Sequence, residues 1–265
     1  MLYFVATPIG NMGDITYRAV ETLKEADCIY CEDTRHSLPL LNRYGIKKPL
    51  YSYHKFNEKE VAEEIVKKLA SGENIAVISD AGMPCVSDPG RVLVHALIAA
   101  GESYTVVPGA SACTSALLLS GADGSKFTFL GFLPAKAGDR KEFLEKYKNL
   151  DTALVFYSAP HDVKKDIQTL YSVLGERKAA AVKEITKMFE RVEFFNLSEG
   201  FKTEPKGEYV LVVEKPERGE NDDLTPEQLY NKYLGEGMDK KDAIKRVAKE
   251  RKIAKSDLYK FTVEK

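Results

Sequence analysis

The chain has 265 residues, a length that predicts two domains with a small appendage. Apolar residues make up 44% and charged residues 30%, which are proportions of a soluble globular protein and exclude a disordered or fibrous chain. The formal net charge of −1 excludes a chain that is basic throughout, so any nucleic-acid contact must come from a local patch.

Short apolar strands and amphipathic helices alternate through the first part of the chain. The predicted strands are 2–7, 27–32, 74–79 and 104–107, and the predicted helices are 15–26, 59–72, 91–101 and one that opens after 107. This order is typical of a mostly parallel sheet with helices on both faces, so we expect an α/β fold.

The pattern changes near residue 125, where strands dominate. The predicted strands there are 127–134, 152–158, 178–184, 192–196 and 208–214. They indicate a second, mixed α/β domain. Segment 216–228 is polar and acidic and predicts a linker, and the last 40 residues are helical, with Thr225, Pro226 and Gln228 marking a helix start. We therefore expect domains at 1–122 and 123–216, with a linker and helical C-terminal domain at 217–265.

The N-terminus and the cysteines bear on location and metal binding. The opening MLYFVATPIG has no basic segment and turns at once into Pro and Gly, which predicts a first strand and not a signal peptide. No apolar run approaches the roughly 20 residues of a membrane span, so we expect a cytoplasmic protein. Cys28 and Cys31 form a C-x-x-C, but they lie on a predicted strand and would point to opposite faces. We expect no metal.

Three Gly- and Pro-rich turns follow predicted strands: TPIGNMGD (7–14), SDAGMPCVSDPG (79–90) and VPGASA (107–112). In open α/β sheets, ligands bind at the carboxyl ends of the strands. Neither phosphate-binding glycine motif occurs, and the turns lack Lys and Arg, so a neutral or zwitterionic ligand fits them best. The alternative is that they are only tight turns, but three at strand ends favour a site.

Three charged segments have two interpretations each. EDTRH (32–36) is either an ion-paired loop or a polar wall beside the cleft. VKEITK (182–187) holds either proton-transfer and substrate-holding groups or a solvated face. Segment 240–255 carries eight Lys and Arg against two Asp and Glu and is either an RNA-binding surface, with a helix-turn-helix appearance, or a solvated helix face.

These motifs together resemble a known family. The order TPIGNMGD, EDTR, SDAGMPCVSDPG, VPGASA, GFLP, YSAPH, EITK and KGEYVLVVE resembles the tetrapyrrole-methylase superfamily over essentially the whole chain. EDTR followed by SDAGMPCVSDPG is most similar to the branch that methylates a cytidine 2′-hydroxyl in the decoding region of 16S rRNA. The resemblance implies S-adenosylmethionine in a cleft between two α/β domains, the 30S subunit as substrate, and a homodimer.

Roles for individual residues follow from the resemblance for the cofactor, from the chemistry of methyl transfer for the catalytic groups, and from local positive charge for the RNA. Those expected to bind the cofactor are Ile9, Gly82, Met83, Pro84, Val86, Ser111, Ala112, Phe156 and Tyr157. The expected catalytic residues are Asp33, Arg35, Glu184 and Lys187, with Asp33, Glu184 and Lys187 as candidate proton acceptors and Arg35 and Lys183 as substrate holders. The expected RNA-binding residues are Lys183, Lys240, Lys241, Lys245, Arg246, Lys249, Arg251 and Lys252.

The sequence departs from the family pattern at four positions. Ser158 stands where the family commonly has Glu, Asp162 and Lys183 where it has Arg, and Ala110 where it has Pro. Lost arginines bear on RNA contacts, because Lys does not replace the guanidinium fork. Two alternatives stay open: a tetrapyrrole methyltransferase of the same fold, and a catalytically silent RNA-binding relative. A nicotinamide enzyme is disfavoured, because TPIGNMGD is not the dinucleotide fingerprint.

Overall fold

The computed structural model describes residues 1–217, 224–251 and 253–262, with side chains described through residue 258. The chain divides into two compact units, Met1–Lys215 and Pro216–Lys265. The predicted boundary at residue 122 lies inside the first unit and stays a prediction. No helix among the described residues has the length and apolar character needed to cross a membrane.

The first sheet has five strands, all parallel, in the spatial order β3-β2-β4-β1-β5. Its strands are β1 (Leu2–Val5), β2 (Cys28–Cys31), β3 (Leu50–Ser52), β4 (Ile75–Ile78) and β5 (Tyr104–Val107). Its helices are α1 (Tyr17–Glu25), α2 (Thr34–Arg43), α3 (Glu58–Ala70) and α4 (Arg91–Ala100). Apolar residues of α3 and α4 cover one face, and those of α1 and α2 cover the other. The predicted α/β architecture is confirmed.

The second sheet is mixed and has the order β6-β7-β10-β8-β9. Its strands are β6 (Phe127–Phe132), β7 (Ala153–Ser158), β8 (Lys178–Lys183), β9 (Arg191–Asn196) and β10 (Tyr209–Val213). Only β6 and β7 pair in parallel. Helices α6 (Ala137–Glu145) and α7 (Val163–Leu174) cover one face. The other face packs against α5 (Ala112–Leu119), which follows the last strand of the first sheet and so links the two sheets.

The cysteine pair behaves as its strand spacing predicts. Cys28 packs in the core beneath α3 and α4, and Cys31 packs in the core beneath α1 and α2. The four cysteines are free thiols. Among the described residues, no group of three or more His, Cys, Asp or Glu side chains is arranged to hold a metal ion.

The C-terminal unit is a small helical cluster. It contains α8 (Pro226–Gly235), α9 (Lys240–Arg251) and α10 (Lys255–Thr262). Leu229, Tyr233, Val247 and Leu258 are almost fully buried in a shared core. The predicted helix start is confirmed, because Thr225 and Gln228 form a reciprocal capping box. Part of the predicted linker, 218–223, lies outside the described residues.

Candidate active site

The three Gly- and Pro-rich turns lie side by side, because the strands before them, β4, β1 and β5, are neighbours and run in parallel. The Thr7 and Gly82 backbones exchange two hydrogen bonds, with N···O distances of 2.9 and 3.2 Å. The hydroxyl groups of Thr7 and Ser79 donate to carbonyls of the 79–82 segment at 3.2 and 3.0 Å. The first two turns therefore form one connected edge.

Gly82 is closely packed at the same edge and has a left-handed backbone conformation that favours glycine. A Cβ built there would lie 3.1 Å from Cγ2 of Ile9 and 3.6 Å from the carbonyl oxygen of Ala110, and φ is +82°. Gly82 thus joins all three turns. The three turns themselves carry no Lys or Arg. Their closely packed backbone fits a ligand held through backbone hydrogen bonds and apolar contacts, which is the kind expected of S-adenosylmethionine.

Backbone strain is concentrated in two segments near this edge. Among the described residues, the non-glycine positions with positive φ are Cys85 and Ser87 in the 79–90 turn, and Glu184 and Thr186 after β8. Each costs free energy and persists only where the surroundings hold it, and such residues cluster at functional sites.

The second strained segment contacts the first turn. The Asn11 backbone N–H donates to Oγ1 of Thr186 at 3.0 Å. A Cβ on Gly10 would lie 2.5 Å from Cγ of Lys187. The structure therefore brings the EITK segment of the second sheet against the TPIGNMGD turn of the first, so both sheets contribute to this edge.

Lys187 holds two carboxylates in this segment. Its ammonium lies 3.0 Å from Oε1 of Glu184 and 2.8 Å from Oε2 of Glu208. Burial acts to lower the pKa of Lys187, but these carboxylates outweigh it and raise the pKa. Burial acts to raise the pKa of Glu184, but the Glu208 backbone N–H and Lys187 lower it. Lys187 is therefore charged at neutral pH, which disfavours it as a proton acceptor, and its catalytic role stays a prediction.

The EDTRH segment leads into helix α2, which begins at Thr34, and the ion pair of the first interpretation is present between Asp33 and Arg35. The Asp33 carboxylate caps the helix by accepting the Arg35 backbone N–H at 2.9 Å, and it pairs with the Arg35 guanidinium at 2.8 Å. These hydrogen bonds, the side-chain one first, lower the pKa of Asp33 to about 2. Asp33 is therefore ionised but weakly basic. Its own N–H donates to Oδ1 of Asp80 at 3.4 Å, which joins EDTR to the 79–90 turn.

Asp88 is a half-buried carboxyl group that the sequence reasoning missed. Burial, with the nearby charges of Glu32 and Asp80, raises the pKa of Asp88 to about 6. In the sequence, SDPG is marked only by its turn-forming residues, and nothing local distinguishes Asp88 from Asp80. The raised pKa comes first from burial and then from the charges of Glu32, which follows β2, and of Asp80 in the same turn as Asp88.

The expected cofactor residues divide into two groups. Ile9, Met83, Ser111 and Ala112 are half-buried at the cleft edge, Pro84 is buried and Val86 is 45% exposed. Tyr157 lies on the α5 face of the second sheet, 4.8 Å from Phe129 between ring centroids. Burial raises the pKa of Tyr157 to about 12, and Asp88 contributes.

Phe156 is the exception among the expected cofactor residues. It is fully buried in the core beneath α6 and α7, on the opposite face of the sheet from Tyr157. Consecutive residues of a strand point to opposite faces, so both rings cannot line one cleft. The Phe156 side chain therefore points away from the face on which Tyr157 lies, and a cofactor-binding role for Phe156 stays a prediction.

The expected RNA-binding residues lie in both units. Lys183 ends β8 in the first unit and is half-buried. In α9, the exposed side chains are Lys240, Lys241, Lys245, Arg246 and Lys249. Arg246 and Lys245 have acidic partners, and Arg251 is half-buried and donates to the Leu224 carbonyl at 2.7 Å. Lys252 lies outside the described residues.

Comparison with known proteins identifies the family. The family model for Tetrapyrrole (Corrin/Porphyrin) Methylases matches residues 1–199. The ribosomal RNA small subunit methyltransferase I of Haemophilus influenzae is 43% identical over 98% of this chain and 95% of that protein. The protein of the same name from Halalkalibacterium halodurans is 40% identical over 97% and 93%.

Solved structures agree at the level of the fold. The methyltransferase CobJ matches with a TM-score of 0.63 and 20% identity, covering 82% of this chain and 96% of that one. A diphthine synthase matches with a TM-score of 0.62 and 15% identity, covering 81% and 89%. Because the family model matches residues 1–199 and the relatives match nearly the whole length, the chain belongs to the tetrapyrrole methylase family, in the group of the ribosomal RNA small subunit methyltransferases I.

Proposed function

We propose that the chain, an S-adenosylmethionine-dependent methyltransferase of this family, methylates the ribose 2′-hydroxyl of a cytidine in the decoding region of 16S rRNA within the 30S subunit. The observation that carries this proposal is the similarity to ribosomal RNA small subunit methyltransferases I along 97–98% of the chain. Because that reaction occurs where ribosomal subunits are found, we also propose the cytoplasm as its compartment.

The cleft edge would hold the cofactor. The cofactor would be bound and oriented by backbone groups of the 79–86 and 108–112 segments and by the side chains of Ile9, Met83 and Tyr157. S-adenosylmethionine supplies a methyl group activated by its attachment to a sulfonium. The chain's own residues must align the ribose hydroxyl with that methyl group and accept the hydroxyl proton.

Asp88 is the proton acceptor that we propose. A general base is most effective when its pKa lies near the working pH, and the pKa of Asp88 is about 6. Asp33 has a pKa of about 2 and Glu184 has a lowered pKa, so both are weaker bases. Arg35, which is exposed, and Lys183 remain the proposed substrate holders, and Lys187 fixes the EITK segment.

Two observations favour this function over the alternatives. The CobJ structure is matched along 96% of its own length but covers only 82% of this chain, so a substantial part of the chain has no counterpart in that enzyme. Ser158 and Asp162, the departures behind the silent-relative alternative, belong to a buried network with Arg140 and Asp166. They therefore remove no group from the cleft edge.

We further propose a homodimer. The outer strands β5 and β6 and helix α5 each expose large apolar side chains, and an excess of exposed apolar side chains is typical of protein contacts. These residues are Tyr104, Val106, Leu118, Leu119, Phe127 and Phe132. Leu118 is 83% exposed, so Leu118→Asp should leave the fold intact and shift the sedimentation coefficient from dimer to monomer. An unchanged coefficient would contradict this surface as the interface.

The test of the function is transfer of labelled methyl from S-adenosylmethionine to purified 30S subunits from cells lacking the modification, with nuclease mapping of the product. Label on a cytidine 2′-oxygen supports the proposal. Unlabelled RNA with intact cofactor binding favours a tetrapyrrole or other small-molecule substrate. Absence of cofactor binding favours the silent relative.

A further inference from the structure

The turn between β8 and β9 exposes two consecutive large apolar side chains. Met188 is 91% exposed and Phe189 is 71% exposed. A single exposed apolar residue needs no explanation, but an adjacent pair at the edge of a candidate site does. The turn, residues 184–190, is the strained segment that contacts the TPIGNMGD turn.

The turn is held rigidly despite its exposed tip. The Thr186 backbone N–H donates to the Glu190 carboxylate at 2.6 Å, and the Lys187 N–H donates to the Glu184 carbonyl at 2.9 Å. The Glu208 N–H donates to Oε1 of Glu184 at 2.8 Å, which ties the turn to the start of β10. Met188 and Phe189 are thus presented by a preorganised support, which lowers the entropic cost of binding a partner.

Two cations lie opposite each other at the base of the turn. Lys183 and Arg191 are direct cross-strand partners in the antiparallel β8–β9 pair. Like charges in this position destabilise a sheet. Lys183 forms no ion pair within the described residues, and Arg191 has only a contact of 3.6 Å to Glu193. An anion bound between the two cations would relieve their repulsion.

The apolar tip of the turn and the cations at its base together match the chemistry of single-stranded RNA. Single-stranded RNA offers flat bases that stack on aromatic side chains and phosphates that bind cations. We propose that the turn 184–190 is a substrate-positioning element, in which Phe189, flanked by Met188, stacks on an unpaired base of the RNA, and Lys183 and Arg191 bind an adjacent phosphate. This inference rests on the proposed function. Lys183 and Arg191 lie on the same face of the second sheet as Ala181 and Tyr209, so they would bind the RNA strand on the side of the turn away from Tyr157.

A tryptophan reporter tests the proposal directly, because the chain contains no tryptophan. Phe189→Trp places one reporter on the turn. Phe194→Trp is the matched control, because Phe194 is 68% exposed on the same hairpin, opposite Ala180 and away from the turn. We expect a short single-stranded RNA and unmodified 30S subunits each to quench the tryptophan emission of the Phe189→Trp variant and to leave that of the control unchanged.

Steady-state kinetics give the second readout. Phe189→Ala should raise KM for 30S subunits about 10-fold and leave KM for S-adenosylmethionine unchanged, since one base stack is lost. Phe189→Trp should restore the KM for subunits. Arg191→Gln should make that KM less sensitive to salt, because one phosphate contact is lost.

Several results would overturn the inference. Unquenched emission at saturating subunits would do so, and so would emission that changes with protein concentration in the absence of RNA, which would indicate contact with a second copy of the chain. If the Phe189→Trp variant transfers methyl groups normally but its emission is not quenched, the stacking role is rejected and the proposed function is retained. Quenching without methyl transfer to RNA would retain it and reject the proposed function.

Discussion

At the residue scale, burial and the charges of two other carboxylates, Glu32 and Asp80, raise the pKa of Asp88 to about 6. No hydrogen bond to its side chain occurs within the described residues, so nothing offsets the cost of ionisation. The group can therefore accept a proton at pH 7 and still carry it for a useful fraction of time.

The activity of Asp88→Asn should be about 100-fold below that of the wild type, because amide nitrogen and oxygen do not accept the hydroxyl proton. The wild-type rate should fall below a pH of about 6, where Asp88 becomes protonated. Asp80→Asn removes one repelling charge, so its rate profile should fall at a lower pH. The measurement is methyl transfer at saturating substrates against pH. Full activity in Asp88→Asn would reject the assignment.

Lys187→Ala should reduce methyl transfer and leave cofactor affinity near that of the wild type. The variant leaves Glu184 and Glu208 without their shared cation, so the turn that contacts Asn11 loosens while the 79–90 turn keeps its own hydrogen bonds. Calorimetric titration with S-adenosylmethionine, beside a rate assay, separates the two effects. Parallel loss of both would show that Lys187 supports the cofactor.

At the scale of the elements, one buried arginine ties α6, α7 and β7 together. Arg140 is 2% exposed, donates from Nε to the Pro134 carbonyl, and pairs with Asp166 and, at 3.1 Å, with Asp162. Ser158 donates to the other oxygen of Asp166 at 2.6 Å. Two of the departures from the family pattern are thus members of a satisfied polar network.

Removal of this arginine should be strongly destabilising. Arg140→Met leaves Asp166 buried without its cation, and breaking a buried pair in this way typically costs about 3–5 kcal/mol. Urea denaturation measures the loss. As a control, Lys146→Met removes an exposed partner of Glu142 and should change stability by less than about 1 kcal/mol. If Arg140→Met lowers the free energy of unfolding no more than this control does, the network adds no stability.

The elements also show what sequence patterns convey. Strand β4 and the turn after it were predictable, because an apolar run ends at dense Gly and Pro punctuation. Helix α2 was missed, because Pro39 and a polar composition interrupt its periodicity. The raised pKa of Asp88 and the partners of Arg140 come from residues distant in sequence, so no local pattern predicts them. The opposite faces of Phe156 and Tyr157, in contrast, are predictable from the sequence, because consecutive residues of a strand alternate between the two faces of a sheet.

At the scale of the whole molecule, positive charge is concentrated in α9, whereas the net charge of the chain is only −1. The buried side of α9, including Ala243 and Val247, packs with α8 and α10. Its lysines lie on the outer side. This segregation is compatible with the RNA-binding role that we propose for the C-terminal unit.

A triple variant tests that role. Lys240, Lys241 and Lys249 are exposed and form no ion pairs within the described residues, so changing all three to Gln should preserve the fold. Affinity for 30S subunits should fall, and the slope of log Kd against log salt should flatten by about 2, since three phosphate contacts are lost. Filter binding at several salt concentrations measures both. Lys59, Lys67 and Lys126 changed to Gln give a charge-matched control in the first unit.

Strand β1 has a neighbour on each side in its sheet but is synthesised before both of them. Leu2 pairs with Ile75 on one side and Tyr104 on the other. An apolar strand must therefore wait for about 100 further residues, or roughly 5–20 s of translation, before its backbone is paired. During that interval the nascent chain exposes an unpaired apolar strand. The yield of folded protein in cells should therefore depend on chaperones and on the speed of the ribosome that the protein would later modify.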